Sequence, residues 1–339
     1  MISFNSAARL IAALGLMLLL SPELAVAQMP PPPPPPTEEH ILFLIDRSGS
    51  MQAVRIDGKT RFQEAIDRAM RFVELPASLP RHYAVWSFEG TSYYKHQGFS
   101  QDASLTLSTL NSLRVGSGVT PLALAACAAV DELRAYRTLQ VARKHLKLGS
   151  DGEENSTPAN TQCAGFNSST TYPNLQPQSW EWKLRNKLRT GNAQNTNIVP
   201  WTIIFNVDAF FDYIRLAGSP TPVYEVTPRG KMVAPPSTLA TPGTTLPSSY
   251  LVLLNGMAAD SGGKFYSVVD SEPSPVFGDT NNDKCVDYID YNLVIDNYGL
   301  TVPPANPAAD INGDGVVDFN DYSIVAGNWG MGSGCAAIP

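Results

Sequence analysis

The run Asp46-Arg47-Ser48-Gly49-Ser50 places one carboxylate and two hydroxyls at alternate positions. Such hard oxygen donors suit a cation like Mg2+, and Gly49 lets the backbone turn tightly between them. A plain Ser/Gly turn after a strand accounts for the same residues, because turns are rich in both types. A second chemistry is written twice near the carboxyl end. Asp279, Asn281, Asp283, Cys285, Asp287 and Asp290 stand at the same relative places as Asp310, Asn312, Asp314, Val316, Asp318 and Asp321. These are places 1, 3, 5, 7, 9 and 12 of an EF-hand-like calcium loop, in which the seventh residue offers its backbone carbonyl and the others offer side-chain oxygens. Gly315 fills the sharp turn at the sixth place of the second loop, whereas Lys284 stands there in the first, leaving that turn's geometry open. Both loops end in Asp rather than the usual Glu, a shorter arm for bidentate ligation. The repetition favours two bound Ca2+ over a merely acidic surface.

The elements that must carry these groups follow from periodicity. Residues 41–45, ILFLI, are too short for a helix and have no polar side, which fits a central strand covered on both faces. Asp46 then lies at that strand's carboxyl end, the edge at which open α/β sheets hold ligands. Residues 59–75 carry a helical apolar stripe, 83–88 read as a strand, 105–113 as a helix, and an alanine-rich helix opens at Pro121. A strand over 199–207 and a helix and strand over 250–269 complete an alternation that implies a doubly wound, mostly parallel α/β sheet. Two excursions interrupt it. Residues 155–197 are rich in Ser, Thr, Asn and Gln with a short helix over 180–188, and 219–249 are rich in Pro and Thr. A polar insertion of that length beside Asp151 is either part of a binding surface or neutral variation. Each carboxyl-terminal loop is followed by an apolar-periodic helix, with Tyr291, Leu293, Val294 and Tyr298 in one and Tyr322, Ile324, Val325 and Trp329 in the other. No room exists for a helix before either loop, so this end forms a small all-α module.

Three separated segments together resemble the von Willebrand factor A domain. They are Asp46-x-Ser48-x-Ser50 after the first strand, Thr120 in a glycine-containing loop before Pro121, and Asp151 in a Ser-Asp-Gly turn after a strand-like segment. The resemblance implies an intact metal-ion-dependent adhesion site (MIDAS). In it Ser48, Ser50 and Thr120 would hold Mg2+ through hydroxyls, or Mn2+ or Ca2+ in its place, while Asp46 and Asp151 act directly or through water. One coordination position would remain for a carboxylate presented by a protein ligand. The duplicated loop-helix unit, with a Pro-rich segment over 302–307 between the copies, resembles a type I dockerin. That resemblance implies docking to a cohesin-type receptor through Tyr288, Ile289, Phe319 and Asn320, with a calcium-stabilised tail as the alternative role.

Arg9 before an apolar run over 10–20 and the Ala25-Val26-Ala27 spacing have the form of a secretory signal cleaved near Ala27, and no later segment is apolar enough for a transmembrane anchor. The expected organisation is signal 1–27, proline-rich spacer 28–37, A-type domain 38–270, linker 271–277 and dockerin-like module 278–339. With 43% hydrophobic residues and a net charge of -7, the chain has enough apolar material for a core and a balance unsuited to nucleic acid. Four cysteines, Cys127, Cys163, Cys285 and Cys335, allow three pairings in an oxidising compartment, of which pairing within domains is simplest. The dockerin resemblance would bring Cys285 and Cys335 together at the module's ends. His40, His82, His96 and His145 are scattered along the chain, and neither H-E-x-x-H nor G-x-S-x-G occurs. The expectation is therefore a secreted, non-enzymatic adhesion and protein-binding protein. The alternative is a polysaccharide-degradation component or enzyme tethered by its dockerin.

Overall fold

The computed structural model describes residues 34–152, 154–214, 224–226, 232–233 and 249–335; the signal segment, most of the proline run and most of the 219–249 excursion lie outside them. The strands are β1 (Glu38–Asp46), β2 (Arg81–Glu89), β3 (Ser92–Ser100), β4 (Ala142–Ser150), β5 (Ile204–Ile214), β6 (Tyr224–Val226), β7 (Met232–Val233) and β8 (Phe265–Val269). They run in the order β3-β2-β1-β4-β5-β6-β7, with β8 also paired to β5. β1 lies between β2 and β4, parallel to both, and β4-β5 and β5-β8 are parallel as well. Among the named strands, the antiparallel pairs are those made by β3, β6 and β7.

Alternation along β1 explains the two cores. Leu42 and Leu44 point to one face with α3 (Leu122–Ala135), α4 (Trp180–Thr190) and α5 (Ser249–Ser261), while Ile41, Phe43 and Ile45 point to the other with α1 (Arg61–Glu74) and α2 (Ala103–Ser112). All five are at most 2% exposed, so truncating Phe43 to Ala would cost about 3–5 kcal/mol. In α3, Ala123, Ala125, Ala126 and Ala129 form a small-residue face that lets the helix lie close to the sheet. α1 starts at Arg61, two residues later than the stripe alone suggests, because Thr60 is its N-cap and forms a capping box with Gln63. Pro121 precedes α3 as its N-cap rather than being its first helical residue. β5 begins at Ile204, later than the apolar run from 199.

Two features depart from the sequence reading. β3 was not anticipated because most of SYYKHQGFS stands on an exposed edge and lacks an apolar run. The 155–197 excursion is not wholly a surface loop. Cys163, Leu175 and Trp180 enter the core, and a Cys127–Cys163 disulfide ties the excursion to α3.

The carboxyl-terminal module has its own core of Val286, Val294, Ala305, Ala309, Ile311, Val317, Ile324 and Val325. Its helices α6 (Tyr288–Asp296) and α7 (Phe319–Gly327) begin alike. Asp287 and Asp318 are the N-caps, and Asp290 and Asp321 close capping boxes back to them. A Cys285–Cys335 disulfide ties the first loop to the end of the module.

Three of the histidines that are scattered in sequence gather at the N-terminal edge of the sheet. His40 is in register with His82, and His145 with Ile41. There Glu39, 1% exposed, accepts a 2.7 Å hydrogen bond from Arg81 Nε and faces His145 Nε2 at 3.3 Å. Burial pushes the Glu39 carboxyl up, but His145 and Arg81 outweigh it and hold it at about 2. A depressed carboxyl contributes stability above its unfolded value near 4.5, and that contribution fades as pH falls towards 2. Urea unfolding of wild type and Glu39→Gln should therefore differ most above pH 5, with the gap narrowing steadily on acidification to pH 2; a gap independent of pH would contradict this pairing.

Candidate metal sites at the sheet edge and in the duplicated loops

At the C-terminal edge of β1, Asp46 is fully buried and held by two donors. The Ser48 amide donates to Oδ1 at 2.8 Å and the Ser150 hydroxyl to Oδ2 at 2.6 Å. Ser48 and Ser50 hydroxyls are 3.1 Å apart, and Ser50 Oγ donates to Asp151 Oδ1 at 2.7 Å. Gly49 lets this turn press against the neighbouring loop, donating to Gly118 O at 2.9 Å. Thr120 Oγ1 and Asp46 Oδ2 flank Gly152 so closely that a Cβ there would stand 2.9 Å from the first and 3.4 Å from the second. The five residues singled out in the sequence thus come together on the loops after β1 and β4 and before α3.

Their electrostatics are unfavourable as they stand. Burial and the neighbouring Asp151 charge push Asp46 up to about 7, and burial likewise raises Asp151. A divalent cation would relieve both carboxylates, and the oxygen donors present fit one. Among the described residues, no three His, Cys, Asp or Glu side chains form a metal-holding group. The edge site instead mixes two carboxylates with three hydroxyls.

Several participants escaped the sequence reading. Arg61 donates to Asp151 Oδ2 at 2.7 Å and makes a double contact with Asp270, so it partly offsets the Asp151 charge and joins this carboxylate to the end of β8. Arg55 continues the chain of contacts to Val269 O, Glu272 O and Ser274 Oγ. Glu154 accepts from the Ala123 amide at 2.6 Å, giving α3 the cap that Pro121 lacks. Each lies in a segment the motif does not cover, and only the fold brings them to the site.

The duplicated loops match bond for bond. Place 1 accepts from the amide at place 6 (Lys284 to Asp279, 3.0 Å; Gly315 to Asp310, 2.8 Å). Place 12 accepts from place 9 (Asp287 to Asp290, 2.8 Å; Asp318 to Asp321, 2.9 Å). The second oxygens of the first residues, Asp279 Oδ1 and Asp310 Oδ1, are buried without a hydrogen-bond partner. Orphaned acceptors in loops rich in carboxylate and amide oxygens fit a calcium ion. Lys284 adopts the same left-handed backbone as Gly315, at φ +74° against +87°. The turn is therefore made despite the missing glycine, at a cost of about 1–2 kcal/mol.

Compared with family models, residues 41–152 match the von Willebrand factor type A domain and residues 277–328 match the dockerin type I domain. Curated proteins give no match. Among solved structures, BatB from Bacteroides thetaiotaomicron is similar at TM-score 0.40 and 14% identity, over 69% of this chain and 91% of that one. The SpRpn10 VWA domain is similar at TM-score 0.41 and 12% identity, over 70% and 91%. Proximal thread matrix protein 1 from the mussel byssus, solved with a zinc-occupied MIDAS motif, is similar at TM-score 0.40 and 11% identity, over 70% and 42%. The mostly parallel sheet with helices on both faces is the α/β architecture of the A-type domain. Together the two domain types point to a protein-interaction or adhesion module of the kind typical of extracellular and cell-surface proteins. No helix among the described residues is long and apolar enough to cross a membrane.

Two substitutions test these geometries. Asp46→Asn removes one of two repelling buried charges while keeping hydrogen-bond partners for Ser48 and Ser150. It should add on the order of 1–3 kcal/mol of stability in EDTA, read as a higher melting temperature, and abolish any further rise on adding Mg2+. Lys284→Gly should stabilise the small module by about 1 kcal/mol, because the glycine relieves the left-handed backbone. Lys284→Ala, which loses the same exposed 2.7 Å pair with Glu272, should give no gain.

Proposed function

We propose that this chain is a secreted, metal-dependent binding protein with two working ends. The A-type domain binds an acidic group of a protein ligand at its sheet edge, and the dockerin-like module docks the chain to a receptor of the cohesin class. The observation that carries the first half is the convergence of Asp46, Ser48, Ser50, Thr120 and Asp151 at one edge, with two buried carboxylates that repel each other without a cation. A bound Mg2+ would supply a Lewis-acidic position for a partner's carboxylate. The chain's own residues do the rest. The three hydroxyls offer neutral donors, so the site keeps positive character toward an anion, and Arg61 holds Asp151 in place through Asp270. Ser150 and the Ser48 amide hold the Asp46 carboxylate in one orientation.

The second half rests on the matched loops and on what lies beside them. Tyr288 and Ile289, at the start of α6, are 65% and 57% exposed, a pair of large apolar side chains that water alone does not stabilise. Calcium in the adjacent loop would order the backbone that carries them.

Capture from the producing cell's secreted and surface fractions tests both ends with the mature chain. In Ca2+ plus Mg2+, wild type should retain one partner that Asp46→Ala and Ser48→Ala lose at least tenfold, and another that Tyr288→Ala/Ile289→Ala loses. EDTA should release both. Partners captured equally by wild type and by Asp46→Ala, with and without EDTA, would refute adhesion at the sheet edge.

A further inference from the structure

The two calcium loops are equal in sequence pattern but not in surroundings. In the first, Asn281 and Asp283 are exposed. In the second, Asp310, Asn312 and Asp314 are at most 4% exposed, although they too belong to a surface module. What covers them is this chain's own first domain, at the N-terminal edge of its sheet.

The contact is specific. The Ser78 amide donates to Asp314 Oδ2 at 3.1 Å and its hydroxyl to Asp318 Oδ2 at 2.5 Å. Asn312 Nδ2 donates to Pro76 O at 3.1 Å, and Arg81, already paired with Glu39, donates from Nη2 to Asn312 O at 3.1 Å. Asn320, at the start of α7, donates to Ser78 Oγ at 2.9 Å. Arg143 at the start of β4 lies so near Gly315 that any Cβ there would meet its guanidinium. Arg143 and Lys264 are the cationic neighbours of Asp310. Leu75 packs against both cores. The connecting segment is pinned as well, for Arg68 donates to Pro275 O at 3.0 Å and lies over the Phe277 ring.

We infer that the second calcium loop is an intramolecular latch: filled with calcium, it holds the dockerin-like module on the 76–81 turn of the A-type domain and leaves the first repeat to face outward. This rests on reading residues 310–321 as calcium ligands. Asp310 Oδ1, buried and without a partner, is the acceptor that calls for the cation. The ligands Asp314 and Asp318 spend their outer oxygens on Ser78, and Asn312 spends its amide nitrogen and backbone oxygen on Pro76 and Arg81. An ion that fixes these side chains therefore fixes the donors and acceptors that meet the first domain. Without it, four acidic side chains repel one another and the docked arrangement is lost. The equivalent of Ile289 in the second repeat, Asn320, is engaged by Ser78, whereas Phe319, the equivalent of Tyr288, is 66% exposed, so only the first repeat offers both of its positions to an outside partner.

Hydrogen exchange on the mature chain, with calcium alone as the probe, tests the latch from the side that holds no ligand. Over 76–80, where Pro76 and Pro80 carry no N–H, the amides of Ala77, Ser78 and Leu79 should exchange at least tenfold faster in EGTA than in Ca2+. Ser78→Glu, a substitution at the rim that sets a new carboxylate against Asp314 and Asp318, should show the fast exchange even in Ca2+. In a calcium titration the same variant should weaken one of two sites at least tenfold and leave the other unchanged. Two sites that fill normally, with exchange over 76–80 indifferent to calcium and to Ser78→Glu, would overturn the latch and leave the calcium reading standing. Absence of calcium binding by wild type would overturn both.

Discussion

Two carboxylates buried at one edge of a sheet repel each other, and much of the first domain serves to keep Asp46 and Asp151 there. Parallel pairing of β1 with β4 brings both to the same edge, since Asp46 ends one strand and Asp151 follows the other. Neither could stay dry without donors, and Ser48, Ser50, Ser150 and Arg61 provide them. Arg61 offsets one charge, but it also answers to Asp270, so its positive charge is divided. A site assembled this way is stable enough to persist and still favours a further cation, which is the condition a reversible metal site requires.

Two further arginines, Arg55 and Arg68, route the chain away from this edge. β8 ends at the metal edge, and from there the segment over 270–277 returns along the sheet face lined by α1. Arg55 takes Glu272 O and Ser274 Oγ, and Arg68, paired with Asp208 and nearly inaccessible to solvent, takes Pro275 O. A strand the length of β1 spans roughly 26 Å at 3.3 Å per residue, so the connecting segment carries the small module from one end of the sheet to the other. The N-terminal edge is thereby covered.

The sequence disclosed most where a residue's own neighbours decide its structure. The apolar ILFLI run, the alternating oxygen donors after it, the alanine-rich helix and the duplicated calcium pattern are all local. β3 was missed because an edge strand with one side in water has no apolar run to announce it. Arg61 was read only as part of a helix, since nothing in RFQEAIDRAM indicates that a carboxylate from 90 positions away lies beside it. The histidines at 40, 82 and 145 looked unrelated because strand register, not spacing, brings them together. Lys284 looked like an impediment to the first loop, yet the backbone takes the left-handed turn there because the surrounding bonds to Asp279 and Asp283 fix it.

Aspartate at the twelfth place of both loops makes sense in the same physical terms. A glutamate there reaches further toward an ion, but Asp290 and Asp321 each also accept the amide of the N-cap residue three positions earlier. The shorter side chain suits that bond, which starts the helix and fixes the carboxylate at once. Their other oxygens accept amides near the loop entrance, from Thr280 and Ile311, at 2.7 and 2.6 Å. One side chain therefore closes the loop on itself and begins the following helix. Any ion that strengthens the loop also strengthens the helix that presents Tyr288 or Asn320. The two helix starts differ at one position, solvent at Ile289 and Ser78 at Asn320, so a sequence duplication places one geometry in two environments.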